Sequence, residues 1–95
     1  MITIVAHMAV ADGTAAEILA AAEPFISRTR AEPGCLDFRL HQAVDDPTAF
    51  VWYETFADRA AVDAHVSSAH VAGWFALLER LGATNTYALY RRAGG

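Results

Sequence analysis

Two runs of strand-forming sequence flank the turn Asp45-Asp46-Pro47-Thr48. Before it, Leu36, Phe38 and Leu40 alternate with Asp37, Arg39 and His41; after it comes Phe50-Val51-Trp52-Tyr53-Glu54-Thr55-Phe56, rich in β-branched and aromatic residues. Successive strand side chains point to opposite faces, so two such runs on either side of a Pro-containing turn predict an antiparallel hairpin. Pairing brings Leu40 near Trp52. Helical-period sequence leads into this hairpin and follows it, and each helical stretch is joined to one more strand-like run.

The first of those runs, Ile2 to Val10, is apolar on both parities with His7 as its one strongly polar side chain, which predicts a central strand buried on both faces. Asp12-Gly13-Thr14 breaks it. A helix over 14–31 follows, with Thr14 as N-cap, Glu17 completing a capping box, and Ile18, Ala22, Phe25 and Thr29 forming one buried stripe. Pro24 predicts a kink near Ala20, and Glu32-Pro33-Gly34 ends the helix. Beyond the hairpin, Asp58 is placed to cap a short helix through His65, and Ser67 or Ser68 to cap the next. Val71, Trp74, Phe75, Leu78 and Leu81 make the apolar stripe of that last helix, which Gly82 ends. A final strand runs from Thr84 to Arg91, and Ala93-Gly94-Gly95 is expected to fray.

The order β-α-β-β-α-β, with its second helical segment broken in two, predicts a ferredoxin-like α+β fold: a four-stranded antiparallel sheet with helices on one face. One domain over residues 1–95 is expected. A chain of 95 residues that is 55% hydrophobic carries more apolar surface than one sheet face and one helix layer need. The expectation is a homodimer formed sheet to sheet across the open face.

Charge narrows the partners. Seven basic against eleven acidic residues give a net charge of −4, with no Lys and no basic run, so a nucleic-acid surface is not expected. No stretch approaches the ~20 apolar residues of a membrane span. The N-terminal segment lacks a charged region followed by a long apolar run, and Cys35 has no second cysteine to pair with, so cytoplasmic residence is the expectation. The four His include no pair at i and i+4, and His65 and His70 are five positions apart, so local spacing predicts no metal site. The sequence around Cys35 offers no adjacent base, which predicts an inert thiol.

The stretch Glu32-Pro33-Gly34-Cys35-Leu36, then Asp46-Pro47, Phe50-Val51-Trp52-Tyr53-Glu54, Asp58, Ala61, Asp63-Ala64-His65, Ser68 and His70, resembles the antibiotic biosynthesis monooxygenase (ABM) domain family over nearly the whole chain. The resemblance implies a homodimer of ferredoxin-like domains. It also implies a cofactor-free oxygenase acting on a quinol or polycyclic phenol with O2, in a pocket between sheet and helices. Related haem-degrading enzymes carry an Asn, a Trp and a haem-ligand His where this sequence has His7, His65 and Phe75. That departure argues against a haem role and leaves small-molecule binding without catalysis as the main alternative.

Oxidising a hydroxylated aromatic ring without a cofactor calls for a base, a group to hold the oxygen, and an apolar box that excludes water. Imidazole, with an ordinary pKa of ~6.5, suits the first task. His65 and His70, flanking the Ser67-Ser68 break, are the candidate catalytic residues, against a reading as solvated or capping side chains. His7, Phe38, Trp52, Tyr53, Trp74 and Phe75 are the candidate substrate-binding residues, against a reading as core. Glu54, on the opposite strand face from Tyr53, is expected to pair with an Arg rather than to act as a base.

Overall fold

A computed structural model describes residues 1–95. The elements run β1 (Ile2–Ala9), α1 (Ala15–Arg30), β2 (Cys35–Gln42), β3 (Ala49–Phe56), α2 (Arg59–Val66), α3 (Ala69–Arg80) and β4 (Thr84–Tyr90). The four strands form one antiparallel sheet in the order β2-β3-β1-β4, as the sequence predicts for this α+β class. The β2-β3 hairpin sets Leu40 opposite Trp52. Across the sheet, Ala6 of β1 lies between Trp52 and Tyr87.

One parity of the strands meets the helices. Ile4, Ala6 and Met8 of β1, Phe38 of β2, and Phe50, Trp52 and Phe56 of β3 are buried against Ile18, Ala22 and Phe25 of α1, Val62 of α2, and Val71, Trp74 and Leu78 of α3. Phe25 ties these layers together. Its ring stacks on Trp74 at 4.8 Å and meets Phe38 and Trp52 edge-on at 5.5 and 5.6 Å. Each such pair contributes about 0.5–1.5 kcal/mol beyond the area it buries. Arg30 fastens the end of α1 to β2 by donating two hydrogen bonds to the Phe38 carbonyl, at 2.9 and 3.2 Å.

Four local expectations are corrected. In the single chain β1 is buried on one face only: Val5 is half-buried and His7 exposed, because the buried faces of all three helices converge on the other side of the sheet. Leu36 is 58% exposed rather than facing the core, because a bulge between Cys35 and Asp37 inserts one residue into β2. Thr14 does not cap α1; its hydroxyl donates to the Ala11 carbonyl, and Glu17 pairs with Arg80 instead. Glu54 has no Arg partner; it is buried and faces the helices. α1 itself runs as one helix through Pro24, with Ile18, Ala22, Phe25 and Thr29 as its buried stripe. Gly82, at φ +72°, follows α3 in the left-handed conformation that favours glycine. No helix is long and apolar enough to cross a membrane.

Candidate active site

Three segments distant in sequence converge at one end of the helix layer. Glu32 sits in the turn after α1, where its N–H donates to the Thr29 carbonyl and its own carbonyl accepts from Cys35, both at 3.0 Å. His65 lies in the last turn of α2 and His70 in the first turn of α3. On a continuous helix, residues five apart point about 140° away from each other. The break between α2 and α3 removes that constraint. Ser68 forms the break: its hydroxyl donates to the His65 carbonyl at 2.6 Å and accepts from the Val71 N–H at 3.4 Å, capping α3.

Both imidazoles then face one carboxylate oxygen. His65 Nδ1 is 2.9 Å and His70 Nε2 2.7 Å from Glu32 Oε2. A carboxylate accepts only, so each ring directs its N–H at Glu32, and the His65 proton is thereby held on Nδ1. In the neutral ring Nε2 of His65 then carries the lone pair, on the side away from Glu32. There it faces Glu54, whose Oε1 is 3.8 Å away. That gap is too long for a direct hydrogen bond, and short enough for one oxygen atom to lie within hydrogen-bond reach of both.

Glu54 is 7% exposed and has no Arg partner. Burial pushes its carboxyl up to about 8, with the Glu32 charge adding to the effect. At neutral pH it is therefore a neutral acid, able to donate. Cys35, half-buried, is pushed up to about 11 by burial first and then by Glu32 and Glu54, which keeps it a thiol as expected.

His65 and Glu54 stand at the wall of a cavity of about 160 Å³ between sheet and helices. Ile4 and Ala6 line it from β1, Trp52 from β3, and Asn85 and Tyr87 from β4. Phe25, Val66, Val71, Trp74 and Phe75 line it from the helices. Two buried polar atoms in its walls, Trp52 Nε1 and Asn85 Oδ1, have no hydrogen-bond partner.

Of the residues singled out in the sequence, His65, Trp52, Trp74 and Phe75 line this cavity. His70 does not; it reaches the site through Glu32. Phe38 is buried beneath the site, with its ring 5.5 Å from that of His65. His7 and Tyr53 lie on the opposite, open face of the sheet, where both are exposed. Phe38, His7 and Tyr53, expected to bind substrate, thus lie outside the cavity.

Glu32 and Glu54 are the side chains at this site that local reading missed. Glu32 reads as a helix end, and only the fold carries it to histidines 33 and 38 residues away. The same convergence brings together what histidine spacing keeps apart: Glu32, His65 and His70 offer three potential metal ligand atoms within 4.8 Å of one another.

Comparison with known proteins agrees with this architecture. YcnE of Bacillus subtilis (strain 168), provisionally named a monooxygenase, is 32% identical over 76 residues, 80% of each chain. The uncharacterized Synechocystis protein sll1783 is 33% identical over 49 residues, 52% of this chain and 33% of that protein, so the match spans about a third of that relative. Among solved structures, an antibiotic biosynthesis monooxygenase superposes with a TM-score of 0.90 at 26% identity, covering 99% of this chain and 100% of the other. SnoaB from Streptomyces nogalater, a cofactor-independent oxygenase, shares the fold with a TM-score of 0.88 at 18% identity, over 99% of this chain and 94% of its own. Residues 1–77 match the family description "Antibiotic biosynthesis monooxygenase" directly, and the chain belongs to that family.

Proposed function

We propose that the chain is a cofactor-independent monooxygenase that oxidises a hydroxylated aromatic ring, a quinol or phenol, with O2. The observation that carries this reading is the 3.8 Å gap between His65 Nε2 and Glu54 Oε1 at the wall of an aromatic-lined cavity. A ring hydroxyl oxygen placed in that gap is in reach of a base and of an acid at once. His65 Nε2 takes its proton, and Glu32 stabilises the imidazolium that results. Protonated Glu54 donates a hydrogen bond to the phenolate as its charge develops. Apolar walls keep water away from the electron-rich anion, which then reacts with O2.

The ring supplies all four electrons: one oxygen atom remains in the product, and the other leaves as water with two hydrogens from the ring. No reductant is required. Glu32 is a positioning residue in this scheme, and His70 steadies Glu32. A volume of about 160 Å³ resembles that of a cavity able to hold one benzene molecule. One ring is therefore enclosed, and further rings of a polycyclic substrate extend past Phe75 and Tyr87, which are 42% and 55% exposed.

The reading includes a homodimer. On the open face of the sheet, Val5 lies between Tyr53 and Ala88, and Thr3 lies opposite Tyr90. Tyr53 and Tyr90 are 46% and 55% exposed in the single chain, an apolar surface that a second sheet would cover.

Oxygen uptake by metal-stripped protein, measured against reduced naphthoquinones and anthrone-like phenols and corrected for autoxidation, tests the proposal. Uptake above background that depends on substrate shape supports it. A flat response across the panel, accompanied by a rise in melting temperature, would instead mark a small-molecule-binding dimer.

A further inference from the structure

The side of His65 that faces away from the cavity carries a second arrangement. Glu32 Oε2, His65 Nδ1 and His70 Nε2 lie within 4.8 Å of one another and come from three different segments. Two imidazoles and a carboxylate form a donor set that holds divalent ions such as Zn2+ and Co2+. Tetrahedral bonds of about 2.1 Å set ligand atoms roughly 3.4 Å apart. The present separations of 2.9 and 2.7 Å to Glu32 Oε2 are those of proton-bridged pairs. Metal-bonding distances require the Glu32 carboxylate to rotate away from the two rings and the two ring nitrogens, which lie within 4.8 Å, to turn toward one another. The backbone on which each ligand sits is already fixed: Glu32 by the Thr29 and Cys35 hydrogen bonds, and the two His by the Ser68 cap between them. Glu32 and His70 side chains, 17% and 18% exposed, leave a path from solvent, while His65 at 6% is closed off.

We propose that Glu32, His65 and His70 bind one divalent transition-metal ion, and that filling this site converts His65 from a base into a hydrogen-bond donor toward the cavity. The proton balance is simple. In the metal-free protein His65 carries its proton on Nδ1, directed at Glu32, with the lone pair on Nε2. A metal bonded to Nδ1 leaves a neutral ring only if the proton is carried on Nε2, which faces Glu54 and the cavity. A ring in that state cannot accept a proton from a bound phenol. Metal binding itself is independent of the oxygenase reading; only its inhibitory consequence rests on that reading.

Titrating metal-stripped protein with Co2+, followed by visible ligand-field absorption, and with Zn2+ against a chromophoric chelator, tests the site. One ion per chain is expected, with affinity reduced roughly tenfold or more in Glu32→Gln and in His70→Ala. A His7→Ala, His41→Ala double variant, altered only on the open face, should bind as the wild type does. No binding by the wild type at millimolar Co2+, unchanged affinity in both ligand variants, or loss of binding in the double variant would overturn the proposal. Imidazole 15N NMR reads the second half without any substrate. The His65 proton should move from Nδ1 to Nε2 on addition of Zn2+ and return with chelator, and a proton that stays on Nδ1 refutes the switch. Where oxygen uptake is measurable, Zn2+ should suppress it and chelator restore it.

Discussion

Burial of a carboxyl group with no Arg beside it sets the chemistry of Glu54. Because burial pushes the group up to about 8 from an ordinary 4.5, the folded chain keeps a proton there that the unfolded chain has already lost at neutral pH. The stability this contributes is fully present below pH 4.5, falls as pH rises, and is gone above about 8. The total effect is on the order of 5 kcal/mol. Glu54→Gln, which copies the neutral acid, should therefore abolish most of the difference between denaturant melts at pH 5 and pH 8.5. A variant as pH-sensitive as the wild type would contradict this assignment. The same proton predicts an alkaline limb near pH 8 in the rate profile, absent in Glu54→Gln, whose amide still donates. Strand parity in the sequence places Glu54 opposite Tyr53 in facing. It does not say which face the helices cover, and that face decides whether the carboxyl is a surface ion or a buried acid.

Elements place the site through short-range geometry. Asp58 accepts from the Ala61 N–H at 2.8 Å and Ser68 caps α3, and both caps are legible because the residues that make them are three apart. What lets α2 approach the Glu32 turn is less visible. A Cβ built at Gly34 would collide with the Ala61 side chain, and the Gly34 carbonyl accepts from the Ala57 N–H at 2.8 Å. This glycine is needed for close approach. Gly34→Ala should destabilise the fold by about 1–3 kcal/mol and lower activity by shifting α2, which carries His65. Ala61→Gly in the same chain should recover most of both losses, as read by thermal melts and oxygen uptake. Failure of the second change to rescue the first would show that the contact is not the cause. The β2 bulge that exposes Leu36 had no local signal, because plain alternation through Leu36, Phe38 and Leu40 reads as regular strand.

Over the whole molecule, element order and the pairing of Leu40 with Trp52 followed from hydrophobic period and turn chemistry. The site did so only in part: His65, Trp52, Trp74 and Phe75 were marked by residue type, whereas Glu32 depends on a contact between residues 33 apart in the chain. The β1 pattern, apolar on both parities, conflicts with its one-sided burial in the single chain. In the proposed dimer a sheet-to-sheet partner would resolve that conflict by covering Val5, Tyr53 and Tyr90. Sedimentation at micromolar concentration should then give twice the 10.2 kDa chain mass. Val51→Glu, which places a charge on the open face, should shift the protein toward a folded monomer. A wild-type mass of one chain would remove the dimer without touching the site.

The central claim is that His65 Nε2 takes the proton that exposes an aromatic ring to O2. The most direct test is the rate of oxygen uptake by metal-free wild type and His65→Gln, side by side at pH 7 with one reduced naphthoquinone. The account predicts wild-type uptake above autoxidation and a loss of about 10²–10⁴-fold in the variant, with its fold intact by circular dichroism. Equal rates in the two proteins, or a wild-type rate no faster than autoxidation for every hydroxylated ring tried, would contradict it.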